Sequence, residues 1–430
     1  MKKTTLSVLA CLVSGAVLAV PTVSNVTVAQ EADRLVTVSY TLAETAIVTV
    51  SFATNSVDIG VKNYVEVGGE VNRIIKAGDR KIVWRPDNTW PIGESVSASL
   101  TATVKAWALT CPPDYMVVDS RVAEPKMCVS FYPSVDALPE GGLTNRALYT
   151  RLAYVMRKIP AAQVKWRMGA TAAMRSAVGH GTNDAYKERE VPHYVTLTKD
   201  YYMGIYPITQ HFARQYWSYS DGSAAAESKP LTKKNYVDYR GADLGADWPT
   251  NRPGHTAHDV DSGSFMFALR ERSGVTDFDL PTMAQWEFAY RAGRGTNFYN
   301  GSDEITAEMN AADTLYAWDS THASGVQQVG LLAPNPWGIY DMAGNVHEWC
   351  LDWFWQKWYN QGEEVTDPLG PEKNGYTTTR VMRGGSRSSG TMADFTASCC
   401  SMASPSVAAN TAAEYGVRVV CGTDVSALVP

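Results

Sequence analysis

From Val23 to about Trp107 apolar and polar residues alternate in short runs. Val36, Val38 and Tyr40 are separated by Thr and Ser, and Ile47 to Phe52 continues the pattern less regularly. Val96, Ala98, Leu100, Ala102 and Val104 alternate again with Ser and Thr. Period-two runs of about five to eight residues, broken by Gly, Pro and Asn, predict antiparallel strands with one buried face, here an all-β sandwich. Residues 108–149 lose that regularity and read as a connector packed on the second domain. Beyond residue 150 the helical and strand patterns are short, with Trp, Gly and Asn scattered among them. Such a chain needs long ordered loops fixed by aromatic packing and by ions.

The first residues have a different pattern. Lys2 and Lys3 precede an apolar run from Leu6 to Val20 that stops at Pro21. This order is that of a cleaved secretory leader, taken as residues 1–19, because the run is too short to span a bilayer. The protein is therefore expected outside the cytoplasm: secreted, periplasmic or on the cell surface. No other stretch is long and apolar enough for a transmembrane span.

Hydrophobic residues make up 45% and charged residues 19% of the chain, enough apolar surface to offset chain entropy in folded domains. The formal net charge is -6 with no Lys/Arg block, which argues against a nucleic-acid partner. Six cysteines lie beyond the leader: Cys111, Cys128, Cys350, Cys399, Cys400 and Cys421. In an oxidising compartment Cys111 and Cys128 would close a short loop. There is no CxxC spacing, and His255, His258 and Asp261 read as a loop-to-helix junction rather than a zinc site.

Five stretches in the second part stand in a fixed order: Trp166-Arg167-Met168-Gly169; Glu190-Val191-Pro192-His193 through to Tyr202-Met203-Gly204; Leu280-Pro281-Thr282 to Trp286-Glu287; Asn335-Pro336-Trp337-Gly338 to Glu348-Trp349; and Arg383-Gly384-Gly385-Ser386 with Tyr415-Gly416-Val417-Arg418. Singly each is weak, but their order and spacing over about residues 150–422 resemble the formylglycine-generating-enzyme, or sulfatase-modifying-factor, family. The resemblance implies a C-type-lectin-like α+β domain with little regular structure. Residues 23–107, through Ile82-Val83-Trp84 and Trp90-Pro91, resemble the small immunoglobulin- or fibronectin-like domains that precede such domains in exported proteins. Their default role is a spacer or docking module.

A hard divalent cation needs six to eight oxygens on a sharply turned loop. Asp341 and Glu348 supply carboxylates, and Gly344 permits the turn. The family resemblance implies calcium held by Asp341, the Gly344 and Val346 carbonyls and Glu348. It places a second calcium site at Asn310 and the Ala311 carbonyl, with Asp319 as a third ligand.

The family's enzymes oxidise a substrate cysteine with copper held by two of their own cysteines, because soft thiolates suit Cu(I). Counted from Ser386, the second thiol falls on Cys399 and the first on Asp394, a hard carboxylate. The pair is incomplete, and Cys400 does not restore it because adjacent side chains diverge. Two readings are open. One is a catalytically divergent binding or display module, its ligand contacts made by Arg387, Asp394, Phe395 and Cys400 on an exposed surface; the same fold carries the retroelement-diversified variable proteins. The other is an active copper-dependent oxidase acting on sulfatase cysteine, with Cys399 as its surviving catalytic thiol and Cys400 or Cys350 as partner. Residues 387–414 fit drift and diversification equally well.

Overall fold

The computed structural model describes residues 20–430 except 31–33, 65–66, 87–98, 182–187, 219–227, 250–253, 255, 257, 312–314, 357, 359–363, 375 and 406–413. The leader, Trp90-Pro91, the start of the Val96–Val104 alternation and His255 lie outside the described residues. The chain divides into two compact units. One is built on the chain up to Pro113 with Phe131–Glu140 and Asp424–Val429, the other on Asp114–Ser130 and Gly141–Thr423.

The first unit is β-rich. The strand Val36–Leu42 buries every second residue, as its alternation requires, and lies antiparallel between Val23–Gln30 and Gly78–Trp84. Ala46–Thr54 pairs with Leu100–Trp107 in a second sheet. Tyr40, Ile82 and Trp84 of the first sheet share one core with Val48, Phe52 and Val104 of the second. The Phe52 and Trp84 rings sit 4.7 Å apart at its centre.

In the second unit strands outnumber the few short helices. The segment read as a connector is instead divided between the units. Tyr115–Asp119 is a strand antiparallel to Ala153–Ile159, because Tyr115 to Val118 form an unbroken apolar run with both faces buried. The sheet continues through Tyr201–Gly204 to Val420–Gly422. A separate sheet sets Arg380–Arg383 between His347–Trp353 and Cys400–Ala403. Tyr415–Gly416 runs parallel to the start of His347–Trp353.

The helix Met283–Arg291 begins in a reciprocal capping box between Thr282 and Gln285, which satisfies two N-terminal donors. It turns Trp286, Glu287 and Tyr290 fully inward. Trp349 and Trp353 are also buried, while Trp337 is half-buried and packs on the same core. No disulfide joins any two of the described cysteines. The expected Cys111–Cys128 bridge is therefore not formed, and the Cys128 thiol donates to the Ser273 carbonyl at 3.6 Å. Among the described residues no helix is long and apolar enough to cross a membrane.

Candidate functional site

A buried ionic frame holds the segment that carries the candidate residues. Glu287, 0% exposed, accepts from Arg291 at 2.6 Å, from the Gly169 amide at 2.9 Å and from Arg383 at 3.0 Å. Buried ions require such multiple partners. The other guanidinium nitrogen of Arg383 donates to the Ala397 and Cys399 carbonyls at 3.0 and 3.2 Å. The strand Arg380–Arg383 thus fixes residues 397–399 from beneath.

The expectation that residues 387–400 form an exposed surface holds for only part of them. Ser388, Gly390 and Thr391 are exposed, and Arg387 and Asp394 are half-buried. Met392, Ala393 and Phe395 to Cys400 are buried. Phe395, expected as a stacking contact for a ligand, is 0% exposed in the core beside Met392 and Ala397. Its carbonyl accepts from the Tyr290 hydroxyl. Asp394 closes a short capping box, its carboxylate accepting from the Thr391 amide and hydroxyl at 3.4 and 3.2 Å. Small Ser, Thr and Ala side chains fill core gaps as readily as they cover surfaces, and here Tyr290 and Trp286 supply the bulk.

Cys399 and Cys400 are both buried, which removes Cys400 from the expected ligand contacts. Burial, together with the nearby Glu190 and Asp394 carboxyls, pushes the Cys399 thiol well above its ordinary range. Burial likewise raises Cys400 to about 11. A residue that sequence alone did not single out for chemistry, Glu190, lies against this pair. It is 2% exposed, and burial raises its carboxyl to about 7. One oxygen accepts from the Ser398 hydroxyl at 3.2 Å, while Oε1 has no hydrogen-bond partner.

At the rim Arg387 forms an ion pair with Glu414, whose other oxygen accepts from the Ser388 amide and hydroxyl at 3.1 and 2.6 Å. The His347 amide donates to the Glu414 carbonyl at 2.8 Å. Burial lowers the His347 ring to about 4, so it is neutral at physiological pH.

The 341–348 loop is where the family resemblance places calcium, and its candidate ligands differ in how they are engaged. Asp341 is buried, and burial raises it to about 6. Its Oδ2 accepts from the Gly330 amide at 2.6 Å, and its Oδ1 is left without a partner. An orphaned buried carboxylate oxygen suits a cation. Gly344 has φ +77°, and a Cβ there would lie 2.5 Å from the Trp318 carbonyl, so only glycine fits. Its carbonyl accepts from the Val346 amide at 2.8 Å. Glu348 does not fit the role of ligand. Arg418 holds both its oxygens, the shortest contact 2.6 Å, and the Trp286 indole donates to Oε2 at 2.6 Å. It braces the loop instead. Asn310 and Ala311 are exposed at the end of a short 3-10 turn, and Asp319 is occupied by Thr321 and His322. Among the described residues no three His, Cys, Asp or Glu side chains converge as a metal-binding group. An ion at this loop would therefore draw mainly on carbonyls.

A family profile described as "Sulfatase-modifying factor enzyme 1-like domain" matches residues 161–422, more than half of the chain. The chain belongs to this family. Among curated relatives, the formylglycine-generating enzyme of Thermomonospora curvata is 36% identical over 25% of this chain and 37% of its own length. The serine/threonine-protein kinase pkn1 of Chlamydia pneumoniae is 29% identical over 46% of this chain and 29% of its own length. The chain thus spans about a third of the length of these two relatives. Treponema denticola variable protein 1 is similar at 22% identity and TM-score 0.43, over 63% of this chain and 96% of that one. PvdO from Pseudomonas aeruginosa is similar at 18% identity and TM-score 0.40, over 62% and 94%.

Proposed function

We propose that this chain is an exported, catalytically divergent member of the family that binds a protein, peptide or glycan ligand on the rim from Arg387 to Asp394, with calcium stabilising the 341–348 loop. The setting of Cys399 carries the reading. Soft thiolates suit Cu(I), and the family's copper site uses two of them. Cys399 is a buried thiol held protonated by burial and neighbouring carboxyls, and Asp394 is spent on capping Thr391. That environment opposes copper binding at the two positions the family spacing assigns.

The rim has the opposite character. Ser388, Gly390 and Thr391 are small and exposed, and the Arg387–Glu414 pair and the Asp394 box hold them on a buried base. Adaptable polar groups on a rigid floor are what recognition surfaces use. In this account the leader 1–19 exports the protein, the second unit has the C-type-lectin-like arrangement, and the first is an immunoglobulin- or fibronectin-like docking module. Asp341 with the Gly344 and Val346 carbonyls would hold calcium, a charge-neutralising role with no part in a reaction.

The test is a screen of the protein against glycan and peptide arrays, with Thr391→Arg beside the wild type. A ligand bound by the wild type and lost in the folded variant supports the reading. Hits that bind both equally place recognition elsewhere. The second reading, an active copper-dependent oxidase, is favoured by the 36% identity to a formylglycine-generating enzyme.

A further inference from the structure

Three loops meet at one buried side chain next to the rim. Asn345 is 0% exposed and has φ +63°, a left-handed conformation that asparagine adopts more readily than most residues. Its Oδ1 accepts from the Gln327 amide at 2.9 Å, and its Nδ2 donates to the Gln327 carbonyl at 3.2 Å. Its own amide donates to the Trp318 carbonyl at 3.0 Å, and its carbonyl accepts from the Arg387 amide at 3.1 Å. One residue therefore bonds both ends of the segment 318–327 and the first residue of the rim. The two outer loops also bond directly, the Ser320 amide donating to the Ser389 carbonyl at 3.2 Å. Between these ties Asp319 stiffens the turn, its Oδ1 accepting from the Thr321 and His322 amides at 2.8 and 3.0 Å. Ser320 and Thr321 are exposed on one side of the Ser320–Ser389 bond, as Ser388 and Thr391 are on the other.

We propose that Asn345 is a positioning residue of the ligand surface: it locks the 318–327 loop against the rim, so that Ser320 and Thr321 meet a ligand together with Ser388 and Thr391. The inference deepens the ligand-surface reading and rests on it for its functional meaning. The physical case is pre-organisation. Loops that open independently must be ordered when a ligand binds, and that ordering lowers affinity. Here the main-chain and side-chain groups of Asn345 are all engaged in a buried setting, where a bond lost without a replacement is costly. Opening either loop breaks bonds to this one residue. Glycine would accept the same φ but lose both bonds to Gln327.

Hydrogen–deuterium exchange in rising, sub-denaturing guanidinium tests the lock on the whole wild-type protein. The Ser320, Gln327, Asn345 and Arg387 amides are expected to exchange through one shared opening, with protection and denaturant dependence that converge. Asn345→Gly should speed exchange of 318–327 and 386–391 together, by about tenfold or more for two lost hydrogen bonds. The strands Tyr115–Asp119 and Ala153–Ile159 should stay protected as before. Separate openings of the two loops in the wild type overturn the lock, as does an Asn345→Gly change confined to one loop or spread over the whole unit. If Asn345→Gly does not fold, the wild-type exchange decides alone. Ser320→Arg is the functional arm, and should abolish binding of an array ligand that Thr391→Arg also loses. A ligand lost only with Thr391→Arg removes the 318–327 loop from the surface. Failure to find any array ligand would sink the surface reading, and the wild-type exchange would still decide the lock.

Discussion

Arg418 and Glu348 form a fully buried bidentate pair, 0% and 1% exposed at their side chains, with the shortest contact 2.6 Å. It joins the closing Gly-Val-Arg motif to the start of the strand His347–Trp353. The Arg418 nitrogens also donate to the Gly204 and Tyr340 carbonyls, both at 2.8 Å. One guanidinium thus ties three distant family motifs together.

Breaking that pair strands a charge in the core. Glu348→Ala should destabilise the second unit by about 3–5 kcal/mol, because Arg418 loses its counter-ion while staying buried. Urea unfolding with and without calcium measures it. A loss equal in both conditions supports the brace role, and a loss confined to calcium-containing buffer would return Glu348 to the ligand set.

Asp341 should show the opposite dependence on the ion. Its carboxyl is raised to about 6 by burial, so without calcium its contribution favours folding at low pH and is lost as pH rises through about 6. A cation that binds only the folded state should reverse this above pH 6. The expected result is that EDTA lowers Tm at pH 7.5 and has a much smaller effect at pH 5, and that Asp341→Ala removes the calcium response. Equal Tm with and without EDTA at pH 7.5 would remove the ion from this loop.

Phe395→Ala should cost about 3–5 kcal/mol, the usual loss for emptying a buried aromatic site. Thr391→Arg should cost no more than about 1–2 kcal/mol, the loss of one cap on an exposed turn. The contrast, read by chemical denaturation, separates floor from rim. Similar small losses for both would mean that Phe395 is not a core residue.

The framework was legible in the sequence because it rests on large side chains at fixed spacing. Trp286 and Trp349 are buried where their motifs put them, and the alternation of Val36, Val38 and Tyr40 is the buried face of a strand. The first-unit strands were readable from period two. The floor was misread because Thr396, Ala397 and Ser398 look like surface residues until Tyr290 and Arg383 are known to close over them. Glu190 stood in a recognisable motif, but its chemistry depends on Ser398, 208 residues away, which spacing cannot reveal. The same holds for Glu348: its carboxylate suggested an ion, and only the fold brings Arg418 to it.

The central proposal is that this family member is catalytically divergent and does not oxidise cysteine. The direct measurement is purified protein charged with Cu(I), supplied with oxygen and a cysteine-containing sulfatase peptide, and read by mass spectrometry for the aldehyde product. No conversion is predicted, because the buried Cys399 thiol has no second thiolate at Asp394. Multiple turnovers of the peptide by the wild type, abolished in Cys399→Ser, would contradict it and restore the oxidase reading.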